Sequence, residues 1–239
     1  MATMTLDELV AQLRKAYGDA LEAVVLYGSG ASAEHIPKRS DYNVLVIVRE
    51  LSLAALRNAA AVARAWGEAG NPPPLTMTAA EWRGSADIFP MEYADILERH
   101  RVLHGTAPFA GVTVAARDLR LQLEHQAMGK LLQLRQGILA AGGAGAQQRE
   151  LLSASVSTFM VLFRALLRLG GETPPADNEA LARAAAGRAG FHAAPFTRVV
   201  RHVRGGEPLA DAEVEPTLAA YLAGAERLVA YVNSLEPAS

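Results

Sequence analysis

Two short apolar segments separated by a glycine-serine turn constrain the fold of this chain more than any other feature. Residues 22–27 read EAVVLY and residues 41–48 read DYNVLVIV, and both are rich in β-branched side chains. Segments this short and this apolar favour buried strands over helices. Every residue of the second segment beyond Asn43 is apolar, which is typical of a strand covered on both faces. The pair predicts the centre of a sheet and disfavours a wholly helical scaffold.

Helical patterns surround the two predicted strands. Thr5, followed three residues later by Glu8, is a capping-box signature, and it opens a helical repeat of apolar residues that ends at residue 17. Residues 52–69 predict a second helix, which stops before a glycine and a run of three prolines. Residues 75–78, LTMT, predict a third strand. This alternation over the first ~110 residues indicates a small layered structure of helices and strands.

The segment 89–105, FPMEYADILERHRVLHG, carries no strand prediction. His100 and His104 are four residues apart and could share one face of a helix, as metal ligands sometimes do. No third ligand follows them at a suitable spacing, so the sequence favours a structural role for both.

The pattern changes near residues 112–117, after which every apolar repeat is helical. Residues 150–169 are apolar almost all round, which is typical of the central helix of a bundle. Further helices are predicted around 118–141, 178–189, 195–204 and 212–234. We therefore expect two domains, residues 1–114 and residues 115–239. The predicted fold class is α+β, with a small mixed sheet followed by an all-α helical bundle.

Composition excludes several classes of protein. The 239 residues carry a net charge of −2, without the basic excess of a protein that coats nucleic acid. The chain has no cysteine, which excludes disulfides and thiolate metal sites. It has neither a signal-peptide pattern nor an uninterrupted apolar run of the ~18 residues that a membrane span needs. A cytoplasmic protein without a membrane partner is expected, and the sequence leaves its oligomeric state open.

Residues suited to binding a phosphate and a cation follow the first predicted strand and begin the second. Gly28 and Ser29 form a turn directly after the first strand, and a turn of this kind can hold a phosphate through its backbone N–H groups. Asp41 comes twelve residues after Ser29, and Asn43 lies two residues further on. If both lie on the strand, their side chains point to the same face. Two oxygen-bearing side chains there could bind a divalent cation that in turn binds triphosphate oxygens.

At these residues the chain resembles the nucleotidyltransferase superfamily, the polymerase-beta-like fold that includes kanamycin and other aminoglycoside nucleotidyltransferases. The family signature is a hydrophobic residue, Gly-Ser, a spacer of about ten residues, and Asp-x-Asp leading into an apolar strand. Tyr27, Gly28, Ser29, Ser40 and Asp41 match it. The resemblance implies a nucleotidyltransferase-like N-terminal domain. It also implies transfer of a nucleotidyl group from a nucleoside triphosphate, with Mg²⁺, to a hydroxyl of a small molecule or a protein.

The resemblance also assigns the acidic residues, and here the chain departs from the family. Asp41 would be the catalytic residue and a metal ligand, and Asn43 would be the second metal ligand. Asn43 replaces the second acid of the signature and brings no charge. The third acid of the family lies on the next strand, where this chain offers only Thr76 and Thr78. Glu92 is a substitute to consider.

The phosphate-binding residues implied by the resemblance are Gly28 and Ser29, which would hold the triphosphate. Lys38 and Arg39 precede the second strand and could steer phosphates, although a solvated loop charge is an equally valid interpretation. A plain turn at Gly28 with a capping role for Asp41 is the simpler alternative.

Two functions therefore remain open. The first is a nucleotidyltransferase. The second is a catalytically impaired module that binds nucleotide or another protein in a regulatory, antitoxin-like role, because Mg²⁺ relies on anionic oxygen ligands that this chain has lost.

Overall fold

In the computed structural model of the protein, which describes residues 4–31 and 41–235, the chain divides into two units. The first unit is Met1–Val114, and it contains all the strands of the described part of the chain. In the second unit, Ala115–Ser239, the regular elements of the described residues are helices. The α+β fold class predicted from the sequence, a small mixed sheet followed by a helical region, is confirmed.

The described residues of the first unit form one four-stranded sheet and four α-helices. The strands are β1 Leu21–Tyr27, β2 Asn43–Val48, β3 Leu75–Thr78 and β4 His100–Gly105; the helices are α1 Leu6–Tyr17, α2 Leu53–Glu68, α3 Ala79–Gly84 and α4 Pro90–Glu98. The strands lie in the order β3-β2-β1-β4. β1 is antiparallel to both of its neighbours, β2 and β4, whereas β2 and β3 are parallel and are joined through α2, so the sheet is mixed.

Two features of this sheet differ from the sequence prediction. β2 begins at Asn43, so Asp41 lies outside the strand, and strand geometry does not place its side chain on the same face as that of Asn43. β4 was not predicted at all. His100 and His104 lie on this strand, and the helical face that would have brought them together does not exist.

Each face of the sheet packs against its own layer of helices. Val24 and Leu26 of β1 pack with α1 and α2, around the fully buried Trp66. Ala23 and Val25 point the other way and pack with α3 and α4, around Trp82. This alternation explains why β1 and β2 are apolar at nearly every position, since both faces of the sheet are covered.

The helical unit is built around its second helix. Its elements are α5 Ala116–Ala141, α6 Gly145–Leu169, α7 Asn178–Ala189, α8 Ala194–Arg204 and α9 Asp211–Ser234. In the described part of the chain, α6 is the one helix long and apolar enough to cross a membrane, but 56% of its apolar window is buried inside the protein. The core helix of a soluble bundle has the same properties.

Aromatic rings fill the centre of the helical unit and leave no space beside Gly224 of α9. The fully buried ring of Phe196 lies 4.2 Å from the ring of Tyr221 and 5.1 Å from that of Phe163, measured between centroids. A Cβ placed on Gly224 would lie 2.6 Å from Cε2 of Phe196. Because the ring is held on several sides, it has little room to move away.

We expect Gly224→Ala to lower the free energy of unfolding of the helical unit by about 1–3 kcal/mol, although alanine favours helices over glycine. The matched control is Gly129→Ala in α5, where an added Cβ meets no atom within 4 Å. That control should be stabilising by up to about 1 kcal/mol. Urea denaturation followed by circular dichroism measures both, and changes of the same sign would contradict the packing argument.

Candidate functional site

The candidate site lies where β1 ends and its two neighbouring strands begin. Tyr27, the last residue of β1, is paired with Asn43 on one side and with His100 on the other. Because β1 is antiparallel to both neighbours, its C-terminal end meets their first residues. A polar residue at the start of β2 is thereby brought next to the turn that follows β1.

That turn is the 3₁₀ segment Gly28–Ala31. Gly28 has a φ angle of +71°, a conformation that side chains with a Cβ rarely adopt. Its N–H donates to the backbone carbonyl oxygen of Arg99, at 3.1 Å, so the turn is tied to the segment between α4 and β4. The N–H of Gly28 is therefore already used, and phosphate donors in this turn have to come from the residues after it.

The ring of Tyr42 packs against the turn at Gly30. A Cβ on Gly30 would lie 2.9 Å from Cδ1 of Tyr42, so only glycine fits at that position without a shift of the ring. The backbone N–H of Tyr42 donates to Oδ1 of Asn71, at 2.9 Å, and its ring packs near Trp66. These contacts fix the start of β2 relative to the glycine turn.

The residues predicted as ligands occupy different environments. Asn43 is half-buried as the first residue of β2, whereas Asp41 is exposed and lies two residues before the strand. Ser29 lies within the 3₁₀ turn. Lys38 and Arg39 fall outside the described residues, so their predicted phosphate-steering role stays a prediction.

The structure brings to this site an acid that the sequence analysis missed. A Cβ placed on Gly28 would lie 3.7 Å from Nδ2 of Asn43 and 3.9 Å from Oδ2 of Asp95. Asp95 belongs to α4, and its other oxygen, Oδ1, forms an ion pair with Nη2 of Arg99 one helical turn later. Glu92, the substitute acid suggested by the sequence, is exposed. Asp95 lies nearly one helical turn after Glu92, and this periodicity along α4 is the sequence signal for Asp95.

Electrostatics agree with this arrangement of acids around the end of β1. Burial raises the pKa of the Tyr27 hydroxyl, and the negative charges of Asp95 and Glu92 raise it further. A neighbouring carboxylate disfavours the tyrosinate because like charges repel. The Tyr27 hydroxyl at the end of β1 is therefore close enough to α4 to be affected by its two carboxylates.

The donor set near Gly28 has the chemistry that Mg²⁺ requires. Carboxylate and amide oxygens are hard ligands, and Mg²⁺ in nucleotide sites is usually bound by one or two carboxylates together with phosphate oxygens and water. Among residues 4–31 and 41–235, no group of three or more His, Cys, Asp or Glu side chains is placed to hold a metal ion. The residues fit a nucleotide-dependent magnesium site better than a site made by protein alone.

Strand β3 contributes no acid to this arrangement. The side-chain hydroxyl of Thr76 donates to the carbonyl oxygen of Pro74, at 3.3 Å. Thr78 caps α3, where its backbone and side chain both bond to Glu81. Both threonines therefore have local structural roles.

The order of elements, the mixed sheet and the helical region together define the nucleotidyltransferase, polymerase-beta-like fold. A similar solved structure is that of the spectinomycin adenyltransferase AAD(9) from Enterococcus faecialis, in a crystal with ATP and spectinomycin. The likeness has a TM-score of 0.58 at 15% sequence identity and covers 94% of this chain and 99% of that one. The sequence matches no family model and no curated protein. The comparison shows the fold, which the sequence motif predicted.

Proposed function

We propose that this protein is a cytoplasmic nucleotidyltransferase that takes a nucleoside triphosphate as substrate and a hydroxyl of a small molecule or a protein as acceptor. The observation that carries the proposal is the meeting of the Gly28 turn, Asn43 and Asp95 at the end of β1. The fold supports it, because the structurally similar AAD(9) was crystallised with ATP and spectinomycin. A small molecule with several hydroxyl groups is accordingly the first acceptor class to test.

The chain's own residues would bind and orient the triphosphate. Gly28 allows close approach because it has no Cβ, and the N–H groups of Ser29 and Gly30 are the proposed phosphate donors. Asp41 and Asn43 are the proposed ligands of Mg²⁺, which when bound would neutralise phosphate charge and polarise the reacting phosphoryl group. Asp41 is exposed, so it can also reach a substrate hydroxyl in its proposed role as the catalytic residue.

A second candidate function is a nucleotide-binding or protein-interaction module without turnover. The uncharged Asn43 favours it, because residue 43 stands where the family signature carries its second acid. Strand β3 favours it as well, because it has only Thr76 and Thr78 where the third acid of the family would lie. Thermal denaturation with and without ATP and Mg²⁺ tests binding, since a ligand at 100 times its Kd stabilises by about 2.7 kcal/mol. Release of pyrophosphate with a polyhydroxyl acceptor tests turnover. Binding without pyrophosphate supports the second function, and the absence of any stabilisation contradicts both nucleotide-binding functions.

We expect Asp41→Ala to abolish the divalent-cation dependence of ATP binding. The carboxylate of Asp41 is the one charge of the family signature that this sequence keeps, and Mg²⁺ binds neutral side chains poorly. Calorimetric titration of ATP with and without Mg²⁺ measures the effect. Asp19→Ala is the matched control, because Asp19 is also exposed but precedes the opposite end of β1. Divalent-dependent binding that survives in Asp41→Ala would exclude Asp41 as a ligand.

A further inference from the structure

We propose that Asp95 of α4 is a ligand of the divalent cation and supplies the second carboxylate that residue 43 lacks. The inference rests on the proposed function, since it concerns the cation of the same site. The proposed cation ligand lies on a helix that covers one face of the sheet, whereas the family signature has its acids on the strands.

Strand alternation explains why Asn43 and Asp95 meet. Leu45 and Ile47 of β2 pack in the layer that contains α3 and α4. Asn43 has the same parity along the strand, so its side chain points into that layer as well. Tyr93 and Ile96 anchor α4 there through buried side chains. Asp95, between these two anchors, is consequently held close to the first residue of β2.

Gly28 leaves open the space in which the two side chains converge. Oδ2 of Asp95 and Nδ2 of Asn43 both lie within 4 Å of the point where a Cβ of Gly28 would be. Rotation of the Asn43 amide by half a turn replaces Nδ2 with Oδ1, and this terminal torsion is soft. Two oxygen atoms then face one small space beside the glycine turn, and both are hard ligands of the kind that Mg²⁺ prefers.

Arg99 forms an ion pair with one oxygen of the Asp95 carboxylate and helps to orient it. The ion pair uses Oδ1, whereas Oδ2 is the oxygen nearest to Gly28. The backbone carbonyl of Arg99 also accepts the N–H of Gly28, which couples the end of α4 to the turn. The Asp95 side chain is 26% exposed, so solvent and ions can reach it while partial burial strengthens its interactions.

A purely structural role for Asp95, as the partner of Arg99, is the competing explanation, and Arg99→Met separates the two. If Asp95 serves only to hold Arg99, loss of either residue should have the same effect on the site. If Asp95 binds the cation, loss of Arg99 should preserve cation affinity or increase it, because a nearby positive charge is removed.

The experiment is a Mn²⁺ titration followed by electron paramagnetic resonance, with and without a non-hydrolysable ATP analogue. Asp95→Asn should weaken Mn²⁺ binding at least tenfold, and Arg99→Met should not weaken it. Glu98→Gln is the matched control, since Glu98 is an exposed acid on the same helix, and it should stay within twofold of the wild type. Circular dichroism establishes that each variant is folded. A second measurement needs no variant: bound Mn²⁺ should broaden the amide NMR signals of Asn43 and Asp95 in the wild type.

The outcomes separate this inference from the proposed function. Unchanged Mn²⁺ affinity in Asp95→Asn, equal losses in Asp95→Asn and Arg99→Met, or unbroadened signals at Asp95 would overturn the inference. Mn²⁺ binding that depends on Asp95 in a protein without affinity for the ATP analogue would support the inference and refute the proposed function. A wild type that binds neither Mn²⁺ nor the analogue would refute both.

Discussion

Gly28→Val is expected to abolish nucleotide binding while leaving the helical unit folded. The φ angle of +71° at Gly28 is strained for a β-branched residue by about 1–2 kcal/mol. A Cβ there would lie within 4 Å of the polar ends of Asn43 and Asp95, and the two methyl groups of valine extend further into the same space. Phosphate and cation would both be excluded from the turn.

Calorimetric titration with ATP and Mg²⁺ measures the loss, and Gly111→Val controls for backbone strain. Gly111 also has a positive φ angle, +76°, but an added Cβ there meets no atom within 4 Å. Both variants should lose similar stability, and only Gly28→Val should lose affinity. Unchanged ATP affinity in Gly28→Val would refute the assignment of this turn to phosphate.

Asn43→Asp is expected to tighten Mn²⁺ binding by roughly tenfold or more, which corresponds to about 1.4 kcal/mol. Asn43 is half-buried and faces the same space as Oδ2 of Asp95, so a charge there acts at short range in a partly desolvated environment. Without metal the same change should be slightly destabilising, because two carboxylates then face each other and raise each other's pKa. Catalytic activity need not increase, since β3 still contributes no acid.

The measurement is a calorimetric titration of both proteins with Mn²⁺, together with thermal denaturation of the metal-free forms. Asn58→Asp makes the same change of charge on the exposed surface of α2, and it should alter neither property. Equal Mn²⁺ affinities of Asn43→Asp and the wild type would mean that residue 43 does not bind a cation.

Sequence patterns that depend on near neighbours predicted local structure well. The capping box at Thr5 and Glu8 is present. The N–H of Thr5 donates to Glu8 Oε2 at 2.8 Å, and the N–H of Glu8 donates to Thr5 Oγ1 at 3.2 Å. The two apolar segments form β1 and β2 at the centre of the sheet. Each of these features is decided within a few residues, so one stretch of sequence contains all the information needed.

Strand β4 shows where such patterns fail. Its residues, HRVLHG, alternate weakly between polar and apolar, and they follow a helix without a clear turn signal. The strand forms because it pairs with the edge of β1: Tyr27 pairs with His100 and Ala23 with Gly105. Pairing with a distant segment overrides weak local preference, as is common for strands.

In the candidate site, too, some features follow from the local sequence and others from contacts between distant segments. By itself the sequence determined the glycine turn after β1 and the apolar run of β2, because both follow from local chain geometry and a recognisable motif. Pairing with β1 decided that β2 begins at Asn43, the partner of Tyr27, and not at Asp41. Only the tertiary structure decided that Asp95 lies beside Gly28, since that proximity requires α4 to pack on the face of the sheet to which Asn43 points. In the sequence, the candidate positions for a further acid are the strands and Glu92. The packing of a helix against the sheet brings Asp95 there instead, through contacts that no local pattern encodes.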